Sequence, residues 1–110
     1  MAKGWKVIKS RNRGSLILVY TEKGYKRYPV GIKIKPEKGW GPLCVFGYHY
    51  QLDAENFATH WGAKVVPCTY TPSKHQNIWK KSMVDFSKGS KDLNDLPFGT
   101  RLAASVTCLE

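Results

Sequence analysis

The residues with most to offer chemically are bases interleaved with aromatics. Arg11, Arg13, Lys26, Arg27, Lys33, Lys35 and Lys38 precede Trp40, and the trio Tyr48, His49, Tyr50 follows within ten residues. Lysine and arginine neutralise phosphates, and an aromatic face stacks a nucleobase for about 1 to 3 kcal/mol. The combination points to an anion-binding platform for a phosphate-bearing ligand, either nucleic acid or a nucleotide. The bland alternative is that the lysines solvate a strand face while the aromatics fill a small core.

The charge balance favours the platform. The 110 residues carry 18 Lys and Arg against 8 Asp and Glu, a net charge of +10. Eleven of the bases but only two of the acids, Glu22 and Glu37, fall in the first 38 residues. Such segregation implies one basic face open to polyanions, whereas charge kept only for solubility would be scattered. An acidic protein is the alternative partner. Sequence-specific reading of duplex DNA is disfavoured, because the best helical segment, around residues 53–61, holds Asp53 and Glu55 and no Lys or Arg.

Other chemistries find less equipment. His49, His60 and Glu55 are the nearest approach to a proton-transfer pair. Glu55 and His60, five residues apart, would lie about 140° from one another on a helix and share no face. His60 instead suits a helix C-terminus, where a cation is favourable. The run Lys38-Gly39-Trp40-Gly41-Pro42 is not a P-loop; it could form a weak anion nest or a lid. Cys44, Cys68 and Cys108 are odd in number and widely spaced, with apolar neighbours. They read as free, buried thiols in a reducing compartment, and even with His49 or His60 they have no metal-ligand spacing. The expectation is a noncatalytic binding protein with no cofactor and no metal. An enzyme acting on nucleotides is the rival, with His49 or Glu55 in the chemistry.

The elements that must position these residues make one domain, residues 1–110, of class α+β. Its mostly antiparallel, twisted sheet of about five to six strands could curl into a partial barrel, with one amphipathic helix packed on it. Strands are expected at residues 5–9 and 16–20, paired through the turn Arg11-Asn12-Arg13-Gly14, and at 28–35 after the turn Thr21-Glu22-Lys23-Gly24. In 28–35 the even positions Tyr28, Val30, Ile32 and Ile34 are apolar, with Lys33 and Lys35 on the other face. Residues 36–42 read as a loop and 43–46 as a strand. The helix spans residues 54 to about 61, N-capped by Asp53, with Leu52 and Phe57 as a staple and Gly62 as its stop. Ala54, Phe57, Ala58 and Trp61 form its apolar stripe. Strands at 65–71, with Pro67 at an edge or bulge, and at 101–109, with Leu102, Ala104, Val106 and Cys108 on one face, complete the sheet. No membrane span or signal peptide is legible, which leads to the expectation of a cytoplasmic protein, with no membrane partner.

The run at residues 41–46 (Gly-Pro-Leu-Cys-Val-Phe), Leu52-Asp53-Ala54-Glu55-Asn56-Phe57-Ala58 and the late Phe98-Gly99-Thr100-Arg101-Leu102-Ala103 resemble small β-rich domains of unknown function found in phages and bacteria. That resemblance spans roughly residues 41 to 107. It implies a viral role in the host cytoplasm, interfering with or sequestering host components. The strand-then-helix pattern also resembles part of an ADP-ribosyltransferase-like fold, which implies transferase activity. The chain departs from that family in lacking a catalytic glutamate motif near its end.

Overall fold

In the computed structural model, the described residues are 2–10, 13–14, 20–21, 24–25, 27–36, 42–74, 77–78, 91–92 and 98–110. Their elements in chain order are β1 (Ala2–Ile8), β2 (Tyr20–Thr21), β3 (Gly24–Tyr25), β4 (Lys33–Ile34), β5 (Leu43–Gly47), a 3-10 turn (Tyr48–Tyr50), α1 (Gln51–Trp61), β6 (Lys64–Pro72), β7 (Asn77–Ile78), β8 (Lys91–Asp92) and β9 (Thr100–Cys108).

Four strands close a ring. β1 runs antiparallel to β6 from Ala2 opposite Tyr70 to Ile8 opposite Lys64, and its other edge meets β5 at Gly4 and Trp5. β9 pairs with β5 through Leu43 opposite Ala103, and with β6 through Cys68 opposite Cys108. The order β1-β5-β9-β6 thus returns to β1, and closure removes the exposed edges an open sheet would leave. β4 lies outside the ring, its Lys33 and Ile34 opposite Thr107 and Val106 of β9. Since β6 occupies the other edge of β9 at those residues, β4 and β5 lie along the same edge, toward opposite ends.

The period of two divides the ring into an inside and an outside. Inside are Ile8, Leu43, Val45, Val66, Cys68, Tyr70, Ala103, Val106 and Cys108, joined by Tyr28 from the segment before β4. Outside, Val7 and Phe46 pack under Ala54 and Ala58 of α1, with Trp5, Phe57 and Val65 at the margin. The architecture is therefore α+β, one helix on a mostly antiparallel sheet closed into a small barrel of four strands with a fifth outside. No helix among the described residues is long and apolar enough to cross a membrane.

Several expectations change. The segment at 28–35 is not one strand: Gly31 turns at φ +77°, only Lys33 and Ile34 form ladder pairs, and Val30 and Ile32 are exposed. Among the described residues β1 pairs with β5 and β6, and the expected pairing of 5–9 with 16–20 falls mostly outside the described residues. Of residues 16–20 only Tyr20 is described, and it pairs with Tyr25 across the expected turn at 21–24. In β9 the partners of β6 skip from Ser105 to Ala103, a bulge that turns Ala104 out to solvent and puts Ala103 inside with Val106 and Cys108. The helix begins at Gln51 with Tyr50 at its N-cap, because the 3-10 turn runs straight into it; Asp53 sits within the first turn and does not cap. Gly62 ends it as expected, in the left-handed region, its N–H donating to the Ala58 and Thr59 carbonyls. Trp61 stays exposed, so the buried stripe stops at Ala58. Pro67 is tolerated between two neighbours because its carbonyl accepts the Leu109 N–H just past the end of β9, so the edge lacking an N–H falls where that ladder runs out.

Candidate ligand-binding cleft

One end of the barrel is plugged. The Tyr28 ring is fully buried there, and the Arg13 guanidinium donates to the Tyr28 carbonyl at 2.7 Å and to the Glu110 backbone oxygen. Behind this plug lies Lys6, on the inward series of β1 and 2% exposed. Its Nζ donates to the Cys44 carbonyl at 2.6 Å and sits 4.5 Å from the Tyr28 ring centre. Burial pushes the Lys6 amine below its ordinary value, against the opposing pull of Cys44, Cys108 and Cys68. Burial likewise holds the Cys44 and Cys68 thiols up at about 12, with Lys6 pulling the other way, so all three cysteines are inert as nucleophiles.

The other end is open. Ala2 begins β1, Gly47 ends β5, Tyr70 lies near the end of β6 and Arg101 near the start of β9, and in these antiparallel strands all four positions meet at one mouth. Each belongs to the inward series of its strand, Arg101 two residues before the buried Ala103. With Lys3, Tyr48, His49 and Tyr50 they line a cleft of about 560 Å³. Barrel mouths are recurrent ligand sites, and the volume suits a small-molecule-sized group.

Glycines shape this mouth. A Cβ on Gly4 would lie 2.5 Å from the Phe46 carbonyl oxygen and 2.9 Å from Cε1 of Tyr70, so the Tyr70 ring covers a space that only glycine leaves. Gly99, at φ +88°, lets its backbone press against the Tyr50 ring, which also receives Arg101 at 5.1 Å and the edge of Phe98 at 5.4 Å. Tyr50 is thereby fixed, and Arg101 is laid across the opening. Tyr48 is more than half exposed, steadied by near-parallel Trp5 at 6.3 Å, whose Nε1 donates to the Tyr48 carbonyl at 2.9 Å. The 3-10 turn and α1 start beside this rim without a side-chain cap, which adds the positive end of a helix dipole. Burial raises the Tyr70 phenol above its ordinary value, with Arg101 opposing, so the hydroxyl stays a neutral donor at neutral pH.

The cleft unites Tyr48, His49 and Tyr50 from the sequence reading with three residues that reading missed: Lys3, Tyr70 and Arg101. Of the basic residues expected beside them, the described ones, Arg13, Arg27, Lys33 and Lys35, are not part of the cleft lining. Arg13 is committed to backbone carbonyls at the plugged end, and Arg27 is exposed at a bridge to Gly14. Lys33 and Lys35 are exposed along β4, where Thr107 opposite Lys33 stands six residues from Arg101, roughly 20 Å at about 3.3 Å per residue. Lys6, counted in the opening surplus of charge, is inside the barrel. Among the described residues, then, Lys3 and Arg101 stand at the mouth while Arg13, Arg27 and Lys33 stand away from it. Arg11, Lys26, Lys38 and Trp40 lie outside the described residues. Among the described residues no three His, Cys, Asp or Glu side chains gather as a metal site. His60 lies in the last turn of α1 against Trp61, away from the cleft lining.

Comparison with protein-family models, curated proteins and solved structures finds no match. The site's own geometry carries the functional argument.

Proposed function

We propose that this protein binds a phosphate-bearing ligand, nucleic acid or nucleotide, at the open barrel mouth, and does so without catalysing a reaction on it. The observation that carries the reading is the convergence of two cations, Lys3 and Arg101, with Tyr48, His49, Tyr50 and Tyr70 on one cleft. The cations supply phosphate contacts, and exposed Tyr48 supplies a stacking face. A phage protein that sequesters host nucleic acid or nucleotide is the setting in which such binding alone would serve.

Isothermal titration with a nucleotide and with an oligonucleotide tests the reading at two salt concentrations. Lys3→Glu combined with Arg101→Glu is expected to weaken binding at least 100-fold, and the wild-type affinity is expected to fall steeply with salt. Unchanged affinity in that double variant, with the fold intact by circular dichroism, would remove the mouth as the site. Turnover of the nucleotide lost in His49→Ala would replace binding by catalysis.

A further inference from the structure

The geometry points to a single-stranded polynucleotide as the ligand, with one unpaired base at the mouth and the neighbouring phosphates running toward β4; this rests on the mouth being the binding site. A base inside a duplex has both faces covered by its neighbours, so only an unpaired base can lie against Tyr48. The helix that borders the cleft carries no Lys or Arg with which to enter a major groove.

A mononucleotide accounts for too little of the surface. Its phosphate would reach Lys3 or Arg101 and leave Lys33 and Lys35 unused. These two lysines stand out from the barrel because Ile34 between them turns toward the core. Lys33, opposite Thr107, lies along the same edge of β9 as the rim residues that follow β5, roughly 20 Å from Arg101 at about 3.3 Å per residue, and Lys35 follows two residues on. A single strand of a few nucleotides reaches across that span, whereas one nucleotide does not. The described residues also hold no glycine-rich phosphate loop opening a helix, the device by which a lone nucleotide's phosphates are usually held. A net charge of +10 is matched by a polymer of phosphates, not by one.

Fluorescence anisotropy separates the possibilities, using a labelled twelve-nucleotide oligothymidylate, a duplex of the same length and unlabelled thymidine monophosphate as competitor. The monophosphate is expected to compete only at concentrations about 100-fold or more above the oligothymidylate, and the duplex to bind more weakly than the single strand. Lys33→Glu with Lys35→Glu should weaken the oligothymidylate at least about 10-fold and reduce its salt slope by roughly 1.4, at about 0.7 per phosphate contact, while leaving the monophosphate unaffected. Tyr48→Ala should weaken both ligands between about 5-fold and 150-fold, the range of one lost stacking contact. Equal affinity for monophosphate and oligothymidylate, with the two lysines silent, overturns the polymer and leaves the mouth as a nucleotide site. Duplex binding as tight as single-strand binding overturns the unpaired base. If the wild-type protein binds none of the three, the mouth as a phosphate-ligand site falls as well.

Discussion

Gly4→Ala tests the packing that forms the floor of the cleft. The new Cβ would stand 2.5 Å from the Phe46 carbonyl oxygen and 2.9 Å from the Tyr70 ring, both closer than real Cβ atoms approach. The carbonyl belongs to β5, and moving it disturbs the Gly4–Gly47 and Trp5–Phe46 pairs that close this side of the ring. The ring can yield only toward the mouth, because the barrel interior around it is filled. Overpacking a tight site costs about 1 to 3 kcal/mol, and with backbone on one side the upper end is expected. At about 4 °C per kcal/mol for a chain of this length, the melting temperature should fall by roughly 12 °C. Gly31→Ala is the control: it meets nothing within 4 Å and bears only the strain of φ +77°, about 1 kcal/mol. Urea titration of both variants decides. A loss below about 1 kcal/mol for Gly4→Ala, or one no greater than for Gly31→Ala, would refute the account of the floor.

Lys6 gives a pH signature. Its folded-state amine lies below the ordinary lysine value of 10.5, so above that lowered value the unfolded chain binds more protons and stability rises with pH. The rise should stop near the ordinary thiol value of 9.0, above which the raised Cys44 and Cys68 thiols favour unfolding; urea midpoints from pH 6 to 10 should show it, and Lys6→Met should flatten the rising limb. Arg13→Ala removes the charged donor to the Tyr28 carbonyl and should cost about 2 kcal/mol in urea titration, with faster amide exchange of residues 28–32 and 108–110. On α1, Phe57→Ala should cost about 2 kcal/mol and Trp61→Ala less than about 1 kcal/mol, since Phe57 packs against Phe46 at 5.9 Å while Trp61 is exposed; thermal melts that reverse this order would contradict the helix docking.

What could be read from the sequence was set by local chemistry. The α+β class, the helix stop at Gly62, the hairpin turn at 21–24 and the burial of all three cysteines follow from turn residues, capping and apolar neighbours. The helix start was misplaced because Asp53 is a good cap in isolation, whereas Gly47 and the 3-10 turn let the chain enter the helix earlier. The strand at 28–35 was overextended because alternation alone ignores the turn at Gly31. The Ala104 register failed because a bulge depends on how β6 and β9 meet, which no local pattern encodes. The site divided in the same way. Tyr48, His49 and Tyr50 stand out as a contiguous trio, but Lys3, Tyr70 and Arg101 come together only through ring closure. A signal was nevertheless present: Ala2 and Gly4 continue the inward series of Lys6 and Ile8, so β1 could have been started earlier and Lys3 placed at a strand end.

The interior of the barrel limits what the mouth can do. A lysine amine held among apolar residues and thiols is costly, and the structure tolerates it through the Cys44 carbonyl and the Tyr28 ring on one side, with Arg13 sealing the end beyond. An anion drawn inward to Lys6 would have to displace the Tyr70 ring from above Gly4 and give up its remaining water. Lys3 and Arg101 at the rim offer the same charge without that desolvation. A ligand's phosphates should therefore remain at the surface, where salt screens them, while its ring enters only as far as Tyr70. Replacing Lys6 with methionine should accordingly change stability and leave affinity within about two-fold, because a group behind the Tyr70 floor makes no contact that a bound strand could lose.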